Sequence, residues 1–232
     1  MICYKGDGIP VTFLHFQYRY LKTMKVLVVN GSPHLTGCTD RALREVEQTL
    51  DANGIETDRV TVGNKDVRGC IGCNFCRLHG RCVFNDVVNE TAPKLADAAG
   101  IIVGSPVYYA GANGQLLAFL DRLFYSTSGV IDKTMKVGAA VVSSRRAGST
   151  SAFDEINKYF TISAMPIVSS TYWNEVHGFT AEDVEADKEG LQTMRNLGKN
   201  MAFMIKAFDN AAKENGMPAQ ERGVFTNFHT EG

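Results

Sequence analysis

Four of the six cysteines in this sequence lie within thirteen residues, with the spacing C-x2-C-x2-C-x5-C. They are Cys70, Cys73, Cys76 and Cys82. Thiolates two residues apart can bind a common centre from one tight turn, and a fourth thiolate after five intervening residues completes a set of four ligands. The spacing therefore predicts a redox cluster or a metal site within one loop.

Three interpretations of this cysteine cluster remain open: an iron-sulfur cluster, zinc, or unligated thiols. Zinc is the least favoured because structural zinc sites usually pair two separated C-x2-C turns, whereas these ligands share one loop. The ferredoxin run C-x2-C-x2-C-x3-C-P is not matched either, because the last gap is five residues and Val83 follows Cys82. Cys3 lies in a doubtful N-terminal extension, and Cys38 is expected to pack or to lend its backbone N–H.

A second candidate site is the loop between the first predicted strand and the first predicted helix. Glycines allow it to turn tightly, three hydroxyls offer neutral donors, and the helix N-terminus adds unpaired N–H groups and a partial positive charge. The loop contains no Lys or Arg and neither the G-x-G-x-x-G nor the G-K-S/T motif, which argues against tight NAD binding or nucleotide hydrolysis. It suits a phosphate held by neutral groups, and an ordinary connecting loop is the alternative. The candidate residues are Ser32, Pro33, His34, Thr36, Gly37, Cys38 and Thr39.

Two further loops offer surfaces for a flat ring. The loop after the third predicted strand contains a restraining proline, two tyrosines and a glycine that allows close approach. The loop after the fourth predicted strand adds polar donors and two cations. The candidate residues are Pro106, Val107, Tyr108, Tyr109, Ala110 and Gly111 in the first of these loops, and Ser143, Arg145 and Gly148 in the second.

The elements that must position these loops alternate short apolar runs with longer helical patterns. This alternation is typical of an α/β fold, in which one doubly wound parallel sheet carries helices on both faces. The predicted strands are 26–29, 57–62, 100–104, 137–142 and 167–170, and the clearest predicted helices are 39–54, 116–124 and 191–208. Ligands of such sheets bind beyond the carboxyl ends of the strands, where the candidate loops lie.

Length and composition favour one domain without a nucleic-acid partner. The chain has 232 residues, of which 44% are hydrophobic and 21% charged, and its net charge is −1. Spread charges argue against nucleic-acid binding, and apolar runs too short to span a bilayer predict a cytoplasmic protein without a membrane segment. Residues 1–23 are expected to be an extension, or the result of a start codon assigned too early; the domain is predicted over 24–216, followed by a tail over 217–232.

Taken together, these motifs resemble the flavodoxin-like NAD(P)H-dependent FMN reductases, and within them the iron-sulfur flavoprotein branch. The resemblance rests on the G-S-P-x5-T loop, the S-P-V-Y-Y-A-G loop, the cysteine cluster followed by Asp86, and the segment 172–178. It implies a five-stranded sheet in the order 2-1-3-4-5 and noncovalent FMN, with the phosphate in the 32–39 loop and the ring against 106–111 and 143–148. It also implies a 4Fe-4S cluster on the four cysteines, near the flavin of a neighbouring subunit, and hence a homodimer or homotetramer.

The resulting functional expectation is an FMN-dependent oxidoreductase that carries reducing equivalents from NAD(P)H to a flavin, a quinone or another small acceptor. The flavin itself does this chemistry, so no catalytic acid or base is predicted. Arg145 is a candidate for stabilising the reduced, anionic flavin, and His177 is expected to be a structural hydrogen-bonding group. The alternatives are an iron-sulfur flavoprotein that carries electrons between protein partners, and a scaffold that binds no flavin.

Overall fold

The computed structural model describes residues 24–221, 224 and 226. The predicted extension 1–23 lies outside these residues, as does most of the predicted tail beyond 221, so both stay predictions. The strands are β1 (Lys25–Asn30), β2 (Glu56–Thr61), β3 (Gly100–Pro106), β4 (Val137–Ser144) and β5 (Glu175–His177). The helices are α1 (Cys38–Ala52), α2 (Phe75–His79), α3 (Val87–Asp97), α4 (Gly114–Ser126), α5 (Ser149–Ile162), α6 (Ala181–Ala186) and α7 (Lys188–Asn215).

The five strands form one parallel sheet in the order β2-β1-β3-β4-β5. The central strands are continuous apolar runs because both faces of the sheet are covered. Successive side chains point to opposite faces, so Val26 and Val28 enter one core while Leu27 and Val29 enter the other. The predicted fold class and strand order are therefore confirmed.

Each face of the sheet is covered by three helices. On one face, α1, α6 and α7 pack on the sheet, and the methionines Met194 and Met201 of α7 are buried in this core. On the other face lie α3, α4 and α5. The apolar residues Leu116, Phe119 and Leu120 of α4 are fully buried in this core.

The fifth predicted strand was misplaced. Of the predicted segment 167–170, Ile167 makes only an isolated bridge with Gly138, whereas β5 forms at Glu175–His177 beside the end of β4. The intervening loop is closed by Ser170, whose hydroxyl donates to Asn174 Oδ1 at 2.7 Å. The apolar character of Ile167 and Val168 reflects burial against the sheet, and pairing with β4 resumes only after the loop.

Among the described residues, no helix is long and apolar enough to cross a membrane.

Candidate functional site

The three loops singled out from the sequence meet at the carboxyl edge of the sheet. The N–H of Gly31 donates to the carbonyl oxygen of Gly104 at 2.8 Å, which ties the first loop to β3. Thr39 Oγ1 and Ser143 Oγ lie 2.8 Å apart, and the N–H of Val107 donates to the carbonyl oxygen of Ser143 at 3.0 Å. The edge where strand order reverses is the usual ligand site of such a sheet, and the loops form one continuous surface there.

The first loop is held by its own side chains. Asn30 Oδ1 accepts the N–H of Ser32 at 2.9 Å, and Ser32 Oγ accepts the N–H of His34 at 3.1 Å. Asn30 and Ser32 are buried, whereas His34 and Thr36 are exposed. These local turns fix the loop while leaving the Thr36 hydroxyl at its surface.

The thiol of Cys38 points away from this loop. It donates to the carbonyl oxygens of Thr180 at 3.2 Å and Gly178 at 3.4 Å, and burial raises its pKa. Its backbone N–H lies in the first turn of α1, and the role of this N–H in holding a ligand stays a prediction.

Two helices begin at this edge without a side-chain cap. They are α1, which follows Gly37, and α5, which follows Gly148 in the left-handed conformation with φ 90°. Side chains cap four other helices, α3, α4, α6 and α7, through Asp86, Asn113, Thr180 and Asp187. Because the first N–H groups of a helix lack intrahelical partners, the starts of α1 and α5 offer donors and partial positive charge to an anionic ligand.

A tight, strained turn forms the middle of the site. Tyr108 and Gly111 exchange two backbone hydrogen bonds of 2.9 Å each, and the residues between them, Tyr109 and Ala110, have φ of 50° and 61°. Left-handed backbone costs about 1–2 kcal/mol for a residue with a Cβ, and such strain clusters at ligand sites. The turn leaves the Tyr109 side chain fully exposed and Tyr108 44% exposed.

Neighbouring elements hold the turn in place. Glu155 Oε2 on α5 accepts the N–H of Ala112 at 2.9 Å. A Cβ on Gly148 would lie 2.9 Å from the Cα of Ala110 and 3.2 Å from Val107 Cγ1. The loops after β3 and β4 are therefore in direct contact. The hydrogen bond between Glu155 and Ala112 and the absence of a side chain at Gly148 set the distance between these loops.

Two buried amides at this edge have donors without a partner. In the described part of the chain, Asn30 Nδ2 and Asn113 Nδ2 are buried and make no hydrogen bond, although the Oδ1 of Asn113 caps α4 by accepting the N–H of Gln115 at 2.8 Å. Unsatisfied buried donors are uncommon and suggest an acceptor that the chain itself does not supply. Asn113 was missed from the sequence, where the pair Asn-Gly before the apolar run of α4 was its only signal.

Strand β5 and the 169–174 loop that precedes it lie beside the end of β4. His177 Nδ1 lies 3.3 Å from Ser144 Oγ, and the backbone N–H of His177 donates to Asp187 Oδ2 at 2.7 Å. Arg145 is exposed, and Tyr172 and Trp173 make an edge-to-face contact with ring centroids 4.9 Å apart. His177 Nε2 also lies 3.8 Å from Glu175 Oε1.

The four cysteines of the cluster line one cavity beside α2 and α4. The apolar side of this cavity consists of Ile71, Val83, Phe84 and Tyr125. Cys70 and Cys73 are exposed and Cys76 and Cys82 are half-buried, and all four thiols are free. Left-handed backbone at Gly72, Asn74 and Gly80 folds the loop so tightly that cysteines up to twelve positions apart reach the same cavity.

The chemistry of this donor set fits an iron-sulfur cluster. Burial raises the pKa of the Cys76 thiol, and negative charge on Cys70, Cys73 and Cys82 raises it further, so four thiolates here repel one another unless a cationic centre lies among them. Within residues 24–221, no three His, Cys, Asp or Glu side chains converge closely enough for a single metal ion. Each cysteine of a 4Fe-4S cluster binds a different iron, so a shared cavity is the arrangement it requires.

One residue of the cavity was not anticipated from the sequence. Arg122 on α4 is 1% exposed, and its Nε and Nη2 each lie 3.3 Å from Cys82 Sγ. The same guanidinium makes two hydrogen bonds, of 2.7 and 2.9 Å, to the carboxylate of Asp86. Its only sequence signal was a cation among the apolar residues of the predicted helix 116–124.

Comparisons with known proteins show the family of the chain and agree with its fold. Residues 24–180 match the family described as NADPH-dependent FMN reductase. The chain is 36% identical over 190 residues to an iron-sulfur flavoprotein of Methanocaldococcus jannaschii, covering 79% of this chain and 98% of the relative. An iron-sulfur flavoprotein of Methanosarcina thermophila is 30% identical over 185 residues, covering 79% and 96%. The solved structure of an archaeal flavodoxin superposes with a TM-score of 0.54 at 18% identity, covering 78% of this chain and 99% of that one.

Proposed function

Because the chain belongs to the NADPH-dependent FMN reductase family, in its iron-sulfur flavoprotein branch, we propose that it takes hydride from NAD(P)H and passes reducing equivalents through bound FMN to a small acceptor. The acceptor class is a flavin, a quinone or a similar small molecule. The observation that carries this proposal is the pair of uncapped helix starts that face one edge of the sheet, beside two buried amide donors without partners.

The phosphate of FMN would bind in the first loop. Ser32, Thr36 and Thr39 supply neutral hydroxyls, and the first N–H groups of α1 supply donors and partial positive charge. The hydrogen bonds from the N–H of His34 to Ser32 Oγ and from the N–H of Ser32 to Asn30 Oδ1 hold this loop in shape before a ligand arrives. Pro33, Gly37 and Cys38 contribute backbone to the same surface.

The ring of FMN would lie against the loops after β3 and β4. The residues proposed for this part of the site are Pro106, Val107, Tyr108, Tyr109, Ala110 and Gly111 on one side, and Ser143, Arg145 and Gly148 on the other. The rigid turn of Tyr109 and Ala110 gives a fixed surface for a flat ring, because Glu155 and Gly148 hold it from behind.

When bound, FMN supplies the redox chemistry, since it accepts a hydride and gives up electrons singly or in pairs. The chain contributes orientation, access and charge. Its loops fix the phosphate and the ring, while Arg145 offers a positive charge at the exposed side of the loop after β4. We assign no catalytic acid or base, because the flavin itself does this chemistry.

A second candidate function is electron transfer between protein partners. It is favoured by the four cysteines that share one cavity and by the relatives that are named iron-sulfur flavoproteins. Cys70, Cys73, Cys76 and Cys82 would hold a 4Fe-4S cluster, which supplies one-electron chemistry. A redox protein would then be the partner, and a homodimer or homotetramer would bring cluster and flavin of different subunits together.

Free thiols in this number suit a reducing compartment, so we propose a cytoplasmic location.

The test is anaerobic purification followed by an optical spectrum and by iron and sulfide analysis. Bound FMN that NADPH bleaches rapidly, with turnover of a quinone or free flavin, supports the reductase. Bound FMN together with iron and sulfide, but slow oxidation of NADPH, supports the carrier. A purified protein with no chromophore and no affinity for added FMN would overturn both functions and leave a scaffold.

A further inference from the structure

Arg122 is a buried cation on the apolar face of α4. It lies three residues after Phe119 and one before Leu123, both fully buried, and is itself 1% exposed. A charged group out of contact with water is costly unless it is paired and hydrogen-bonded. The partners of Arg122 therefore explain why an arginine is present at this position.

The first partner is Asp86. Its two carboxylate oxygens accept from Nη1 and Nη2 of Arg122 at 2.7 and 2.9 Å, a fork geometry that a lysine cannot reproduce. Asp86 also caps α3 by accepting the N–H of Val88 at 3.0 Å. Because α3 fixes the carboxylate and the carboxylate fixes the guanidinium, the direction of the remaining N–H groups of Arg122 is determined.

Two of those remaining N–H groups point at the sulfur of Cys82, and Nη1 also donates to the carbonyl oxygen of Arg68 at 3.3 Å. Nε and Nη2 of Arg122 both lie 3.3 Å from Sγ, within hydrogen-bond range for sulfur. A guanidinium stays protonated in proteins, so Arg122 remains a cation beside this sulfur. The sulfur thus receives two donors from one permanent cation.

The backbone around Cys82 is fixed as well. Asn89 Oδ1 accepts the N–H of Cys82 at 3.0 Å, and Asn89 Nδ2 donates to the carbonyl oxygens of Cys82 and Phe84, both at 3.0 Å. By contrast, Cys70 and Cys73 are exposed on the other side of the motif. Cys82 is held at both its backbone and its sulfur.

We propose that Arg122 is a positioning residue that holds Cys82 as a cluster ligand and raises the reduction potential of the 4Fe-4S cluster. The proposal rests on the cluster proposed above. Hydrogen bonds and positive charge at a ligating sulfur stabilise the reduced, more negative state, which raises the potential. Arg122 touches the ligand and not the reacting atoms, so its effect is on the cluster's potential and retention.

The test uses the full-length protein, purified anaerobically with FMN and cluster, in four forms. They are wild type, Arg122→Lys, Asp86→Asn and the control Arg81→Lys, an exposed arginine next to Cys82 in sequence. Iron and sulfide content, FMN content and the spectrum of the reduced cluster are measured first. The midpoint potential of the cluster is then measured by redox titration.

Arg122→Lys is expected to keep FMN and to lower the midpoint potential of the cluster. The equilibrium between reduced and oxidised cluster should shift at least tenfold toward the oxidised state, which corresponds to about 59 mV for a one-electron couple. Loss of iron with FMN retained also supports the proposal, because Cys82 would then be freed. Asp86→Asn should lower the iron content or move the cluster potential away from the wild-type value, because the guanidinium loses the carboxylate that fixes its direction toward Cys82. Arg81→Lys should leave both unchanged.

An iron-loaded Arg122→Lys protein with wild-type potential and wild-type spectrum overturns the role of Arg122. If Arg122→Lys does not fold, Asp86→Asn decides, and wild-type iron content together with a wild-type potential in that variant overturns the proposal. Wild type that holds FMN but neither iron nor sulfide overturns the cluster and this role together, and is recognised before any variant is made.

Discussion

Gly148 and Ala110 lie so close that a Cβ on Gly148 would stand 2.9 Å from the Cα of Ala110. The first residue before α5 therefore sets how near the loop after β4 approaches the strained turn after β3. Because both loops are proposed to contact the flavin ring, their spacing should govern its affinity.

Gly148→Ala is expected to weaken FMN binding at least tenfold, or about 1.4 kcal/mol. The added Cβ meets backbone, which cannot move aside cheaply, and φ of 90° is unfavourable for alanine. FMN affinity is measured by titrating the flavin-free protein and following flavin fluorescence. Gly129→Ala, where an added Cβ meets nothing within 4 Å, is the matched control and should bind as wild type does. Equal affinity of the two variants would contradict the proposed ring site.

Thr36→Val should weaken the binding of FMN but not that of riboflavin. The exposed Thr36 hydroxyl is proposed to donate to the phosphate, and a hydrogen bond to a charged group contributes about 1.5–3 kcal/mol, so a loss of roughly ten- to a hundredfold is expected. Dissociation constants for the two flavins, measured side by side, check this. Riboflavin lacks the phosphate and serves as the control ligand; an equal loss for both would place the phosphate elsewhere.

Ala110→Gly should make the protein more stable, by up to about 1 kcal/mol, because glycine adopts φ of 61° without strain. Urea unfolding of the flavin-free protein measures the change in the free energy of unfolding. Ala112→Gly, two residues on, should have the opposite effect because Ala112 is buried and loses a packed methyl group. If Ala110→Gly is destabilised as much as Ala112→Gly, the turn is not strained.

The stability of the protein should rise with pH between about 8 and 10, partly because of Lys133. Burial lowers the pKa of Lys133 from 10.5 to about 8, with Asp132 opposing the shift. Between these values the unfolded chain binds more protons than the folded one, so the free energy of unfolding increases with pH. At 1.36 kcal/mol per pKa unit the gain is at most about 3 kcal/mol, and contact with solvent reduces it.

Urea unfolding at the two ends of this pH range measures the effect. Lys133→Met should flatten the rise, whereas the exposed Lys158→Met should keep it. A Lys133→Met protein with the full wild-type rise would show that Lys133 does not titrate in this range.

Much of the fold could be predicted because the relevant signals are local. Four of the five strands are continuous apolar or alternating runs, and α1 was predicted to within about two residues of its bounds, Cys38–Ala52. The fifth strand was misplaced because the apolar pattern of 167–170 reports burial and not pairing. Backbone pairing at Glu175–His177 depends on where the 169–174 loop returns to β4, which no local pattern encodes.

The sequence by itself determined the cysteine spacing, the absence of charge from the 32–39 loop and the parallel sheet, because each is set by neighbouring residues. Only the tertiary structure decided that Arg122, 40 positions from Cys82, would donate to its sulfur. The same holds for the left-handed turn at Tyr109 and Ala110, which the surrounding contacts of Glu155 and Gly148 hold in place. A buried charge and a strained turn are stable only where distant elements supply the partners, so packing decides both.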